Sequence, residues 1–177
     1  MSLKQKMGRG LYNLYHKLLE KLNAIKGNPI DIAKGFATGA AVSVTPFVGF
    51  HALISLAVAK MSHQNGLAAV LGTILGNPWT FPLIWYADFH LGKLILYQDT
   101  ISQNINFISI FKELYHTVIM LDFSRFFSDI YPIFLPMLIG CIPLYIVVWF
   151  TFFKILEKTL IKQQNNGENG HDIRTGL

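Results

Sequence analysis

The sequence is short of charge and almost devoid of cysteine. Aspartate, glutamate, lysine and arginine make up 14% of its 177 residues, against roughly 25% in soluble domains. That is too little to coat an ordinary water-facing surface. Cys141 is the single cysteine, which excludes an intramolecular disulfide and a two-thiol redox centre. Its setting between Gly140 and Ile142 reads as a small packing residue. No HExxH pair and no close cysteine cluster offers ligands to zinc. No GxxxxGK or GxGxxG loop offers a phosphate cradle. Serine, histidine and aspartate occur, but a hydrolytic triad is warranted by geometry and not by mere presence. These absences point away from an enzyme and call for neither a cofactor nor a metal. The amino terminus also lacks a convincing signal peptide, because no continuous apolar segment follows its basic residues before Lys17 and Glu20.

What is present is apolar. Hydrophobic residues make up 52% of the chain and mean hydropathy is +0.40, so a membrane domain is the first reading, and the length suits one domain. Two long runs, Gly35 to Ala59 and Met61 to Ala87, are separated by Lys60 alone, and runs of this kind favour the bilayer. Each is interrupted near its middle, the first by Thr45-Pro46-Phe47-Val48-Gly49 and the second by Gly76-Asn77-Pro78-Trp79-Thr80-Phe81-Pro82. The helix–break–helix plan thus occurs twice, as a weak internal repeat. Paired interrupted segments can build midplane sites in transporters, and they also serve as ordinary packing devices. Each run reads either as a kinked span or as a re-entrant hairpin whose turn is buried in protein or faces water.

The net charge is +5, and its placement matters more than its sum. Lys4, Lys6, Arg9, Lys17, Lys21, Lys26 and Lys34 precede the first run, and Lys154, Lys158 and Lys162 come after the last. Both termini are therefore expected in the cytoplasm, in a multi-pass protein of the bacterial inner membrane. A re-entrant element reconciles basic residues at both ends with an odd number of apolar regions. No reading helix or zinc module accompanies the charge, so nucleic acid is not an expected partner. The bilayer phospholipids are, together with a second copy or another membrane protein packed on the small-residue face of Gly35, Ala37, Gly39, Ala40, Ala41 and Ser43.

In order, residues 1–30 form an amphipathic region, lying on an anionic membrane surface or packed on the rest of the protein. Residues 31–94 hold the paired broken helices. Residues 95–129 connect them to the last apolar region, with an interfacial helix between Ile105 and Met120, where Lys112-Glu113 weakens a full crossing. Residues 130–153, interrupted by Pro132, Pro136 and Pro143, read as a bent transmembrane helix. Residues 154–177 read as a loose polar tail, and its His171-Asp172 as solvated. The fold class is an all-α membrane protein, a helical bundle with proline-broken and re-entrant helices.

The candidate sites lie at the breaks. Asn77 and Thr80, around Pro78, can coordinate a solute or can simply satisfy the broken backbone. Thr45, Pro46 and His51 form the matching set, with His51 either a proton carrier or a neutral histidine bonded across two helices. Asp88 and His90 could form an interface relay, although their spacing does not put both on one helical face. Trp79, Trp85 and Trp149 read as core or interface anchors.

Thr45-Pro46-Phe47-Val48-Gly49-Phe50-His51, Asn65-Gly66, and Gly76-Asn77-Pro78-Trp79-Thr80 occur here in order, with Gly92 after them. In this combination the sequence resembles the DUF2062 family of bacterial membrane proteins, over Ile32 to Leu94. The resemblance implies a membrane protein of uncharacterised biochemical role and carries over no catalytic residue. Transport or permeation of a small solute or ion is the leading functional expectation. The alternative is an assembly or envelope-maintenance factor in which the same breaks shape a helical interface.

Overall fold

The structure, a computed structural model, describes residues 12–13, 16–77, 79–96 and 131–175, with side chains as far as 164. All regular structure among these residues is helical. After a helix at residues 16–23 (α1) come Pro29–Val42 (α2), His51–Met61 (α3) and Gly66–Gly72 (α4), the last prolonged by a 3-10 turn, Thr73–Leu75. Phe81–Leu96 (α5) and Tyr131–Thr175 (α6) complete the all-α bundle.

Local chemistry sets the helix ends. Asn28 caps α2, its side-chain oxygen accepting from the Ile30 amide at 2.9 Å, and Pro29 occupies the first turn, where its missing N–H has no intrahelical role. Asn65 caps α4 in the same way, accepting from the Ala68 amide at 2.9 Å. At the first break the hydroxyls of Ser43 and Thr45 donate back to the carbonyls of Ala40 and Val42, each at 2.7 Å, and Gly49 turns the chain at φ +89°.

Two close crossings hold the helices together. On α2, Gly35 and Gly39 meet the backbones of Asn65 and Ala69, while Gly72 of α4 meets the backbone of Phe36. Partners rise together in number, so α2 and α4 run parallel. On α5, Gly92 meets Pro136, and Gly140 of α6 meets the Asp88 carbonyl. Here the order reverses, so α5 and α6 run antiparallel. The main core gathers Leu19 and Leu22 of α1, Ile32 and Phe36 of α2, Ala68 of α4, and Leu156 and Leu160 of α6. α1 thus packs on the bundle through Leu19 and Leu22.

Membrane topology departs from expectation. Among the described residues only Tyr131–Gln164, within α6, is long and apolar enough to cross a membrane. The breaks divide the two long runs into α2, α3, α4 and α5, of 14, 11, 7 and 16 residues, each short of the ~20 a helical crossing needs. The expected multi-pass topology is therefore corrected: among the described residues one helix meets the criteria for a crossing. With one candidate crossing, a re-entrant element has no topological conflict left to reconcile. The carboxyl end differs as well. Residues 154–175 continue α6 in place of the expected loose tail, and Pro136 and Pro143 sit inside the helix without ending it. The connecting helix expected between Ile105 and Met120 lies outside the described residues.

A methyl group added at Gly39 would run into the Ala69 carbonyl, which is backbone, whereas one at Gly66 would meet only the tip of the Leu56 side chain at 2.7 Å. Gly39→Ala is therefore expected to cost about 1–3 kcal/mol of stability by overpacking, and Gly66→Ala clearly less. Thermal unfolding in detergent, with both variants in parallel, checks the order; equal losses would mean that the α2–α4 contact is not limiting.

Candidate functional site

At each break, side-chain oxygens or a ring nitrogen bond to the local backbone. The Asn77 side-chain oxygen accepts from the amides of Trp79 and Thr80, at 3.0 and 3.1 Å. The Thr80 hydroxyl accepts from the Asn77 amide at 3.1 Å and faces the carbonyls of Asn77 and Leu75 at 3.0 and 3.2 Å. This is a capping arrangement for the start of α5; Pro78 lies outside the described residues. At the other break, His51 is buried and its Nε2 lies 3.0 Å from the Thr45 carbonyl. Its ring also meets Phe81 at 5.7 Å between centroids. Pro46 is half-buried in the bend between α2 and α3. His51 thus ties its own break together and touches the foot of α5.

A polar chain not anticipated from the sequence crosses the bundle. Trp149 Nε1 of α6 donates to the Thr38 hydroxyl of α2 at 3.0 Å, and that hydroxyl donates to Gln64 Oε1 at 2.6 Å. Thr38 is buried. Its position on the small-residue face is a signal for close approach, but nothing in sequence spacing links residues 38, 64 and 149.

Ser55, also buried, donates to the Ala52 carbonyl at 3.0 Å, but one buried polar side chain has no such partner. The buried positions of α5 are Trp85, Asp88, Phe89 and Gly92, the i, i+3, i+4, i+7 pattern of an inward helical stripe. Asp88 occupies one of them and is 0% exposed. Neither carboxyl oxygen makes a hydrogen bond, an arrangement that is costly for a charge. Burial pushes its carboxyl up from the ordinary 3.8 to about 7. Across the seam, the Cys141 thiol of α6 is close enough to feel its charge; that thiol donates to the Leu138 carbonyl at 3.2 Å. His90 does not join Asp88. It lies on the exposed side of α5, its ring 4.1 Å from Tyr86 and 5.8 Å from Phe89.

The described side chains bring no three His, Cys, Asp or Glu together as a metal-binding group. A cavity of about 350 Å³ opens between α1, α2 and α6, lined by Leu22, Asn23, Ile25, Pro29, Leu160 and Gln163 among others. Its walls carry no titratable side chain, and Leu160 stands twenty residues, about 30 Å of helix, from Gly140. The buried Asp88 carboxyl, raised toward neutrality, can bind and release a proton.

A family model described as an uncharacterized protein conserved in bacteria, DUF2062, matches residues 13–166. The chain belongs to the DUF2062 family. The match extends well beyond Ile32 to Leu94, taking in α1 and most of α6, so the family's span includes both sides of the Asp88 seam. No curated protein and no solved structure matches the chain.

The raised Asp88 carboxyl fixes the sign of a pH dependence. Between pH 3.8 and about 7 the folded state holds a proton that the unfolded state has released. Stability is then expected to be greatest in acid and to fall with rising pH across that window, by about 1.4 kcal/mol per unit where one proton separates the states. Asp88→Asn should flatten the profile and be the more stable form above neutrality. Denaturation midpoints across pH for both proteins check this.

Proposed function

We propose that this DUF2062 protein is a non-catalytic membrane-associated assembly factor, anchored by α6 and holding a protein partner through helix–helix contacts. The observation that carries the reading is the exposed apolar face of α6. Ile142, Ile146, Val147 and Phe150 are 49–63% exposed and follow helical spacing. Only 22% of the apolar window of this helix is buried within the chain, unlike the core helix of a water-soluble protein. Apolar surface of this extent calls for lipid or a partner. The bonding of the Asn77 side-chain oxygen and of the Thr80 and Thr45 hydroxyls to nearby backbone supports the same reading, since these atoms have less to offer a solute.

Permeation of a small solute or ion is the second reading, and Asp88 is what favours it. Ionisable residues at membrane depth commonly mark ion or proton pathways. One candidate crossing gives that path few walls within a single copy, which is why assembly is preferred.

Two measurements separate these readings. Val147→Lys should abolish flotation with liposomes if α6 inserts, because a central lysine costs roughly 2.5–3.5 kcal/mol on insertion scales. A photo-crosslinking residue at exposed Phe150, in growing bacteria, should then yield a discrete protein adduct that is missing when the probe replaces buried Leu156. Lipid adducts alone, together with a solute flux in proteoliposomes that Asp88→Asn removes, would replace assembly with permeation.

A further inference from the structure

Asp88 sits where a charge is least easily accommodated. It is fully buried, and among the described residues neither carboxyl oxygen has a hydrogen-bond partner. Across the seam, the group facing it from α6 is the Cys141 thiol. On α5 itself, His90 is exposed and the Lys93 ammonium lies over the Phe89 ring at 5.8 Å. From α3, His51 reaches α5 at Phe81, seven residues and about two turns away from Asp88.

The seam around this carboxyl is the main hold on α5 among the described elements, whereas α2 packs on α3, α4 and α6 together. At its centre the contact is backbone against backbone, Gly92 on Pro136 and Gly140 on Asp88, with no side-chain hydrogen bond or ion pair of Asp88 across it. The small apolar cluster of Trp85, Phe89 and Met137 closes one side. A carboxylate formed here can lower its energy in two ways, by taking up a proton or by admitting water.

We propose that Asp88 is a proton-binding site which keeps the α5–α6 seam closed while protonated, and that loss of the proton parts the seam around Gly92 and Gly140. The ligand is the proton itself, and the response is the wetting of one helix contact. This holds whichever partner α6 engages, so its test is independent of the assembly reading.

Trp85 lies in the same inward stripe as Asp88, which makes it a reporter. The full chain labelled with 5-fluorotryptophan, in detergent micelles, gives fluorine resonances for Trp79, Trp85 and Trp149, assigned by Trp85→Phe. The solvent isotope shift of Trp85 should be small near pH 5 and rise toward that of exposed Trp79 by about pH 9, while Trp149 stays constant. Asp88→Asn should hold Trp85 in its low-pH form throughout. A Trp85 signal that ignores pH, or titrates equally in both proteins, overturns the proposal. A second measurement needs no variant. Modification of Cys141 by an uncharged maleimide, divided by the rate for glutathione at each pH, should rise at least ~tenfold over the same range, as for a group buried in one state and open in the other. No rise beyond the glutathione control would exclude opening.

Discussion

The bundle depends on backbones coming into direct contact. At the α2–α4 and α5–α6 crossings the nearest atoms are carbonyls, amides and Cα atoms facing glycine, so the helices approach more closely than aliphatic side chains allow. Everything larger is arranged around these contacts. Phe36, Leu22 and Leu156 fill the core beside the first crossing, and Trp85, Phe89 and Met137 flank the second. Such contacts gain dispersion and exclude solvent without requiring polar pairing. They also tolerate no enlargement, because the atom on the other side is main chain and cannot swing away.

Breaking a helix inside an apolar run exposes amides and carbonyls, and the molecule answers locally each time. Ser43, Thr45, Asn77 and Thr80 bond to backbone within a few residues, and Asn28 and Asn65 do so at helix starts. Charged residues are scarce in this chain, and these uncharged polar side chains are committed to such repairs. The Trp149–Thr38–Gln64 chain is different in kind, since it joins α6, α2 and the α3–α4 connection. Asp88 differs again, as a buried polar side chain without a partner.

Much of the architecture is legible in the sequence because the signals are local. The two interrupted runs announce the breaks after Val42 and Leu75. The small residues of α2 mark a face for close approach, and the family is recognisable from the ordered motifs around Pro46 and Asn77. Topology is misread when run length is counted across breaks that separate the run into short helices. The carboxyl end is misread because polarity after Lys154 suggests an end to a helix that needs only continuous backbone hydrogen bonding. Asp88 is visible as a residue but not as a site: its meaning comes from the stripe shared with Trp85, Phe89 and Gly92, and from Gly140, fifty-two positions later in the chain.

The reach of α6 has a mechanical consequence. The helix continues to Thr175, so the stretch beyond Lys154 adds roughly 30 Å at 1.5 Å per residue. A rod of that length multiplies small rotations at its foot. Tilting by about 20°, a common inclination for membrane helices, carries the tip sideways by about 10 Å. The foot of this rod is clamped where Leu156 and Leu160 enter the main core beside α1 and α2, so its tip is steered by that core and lies remote from the α5–α6 contact.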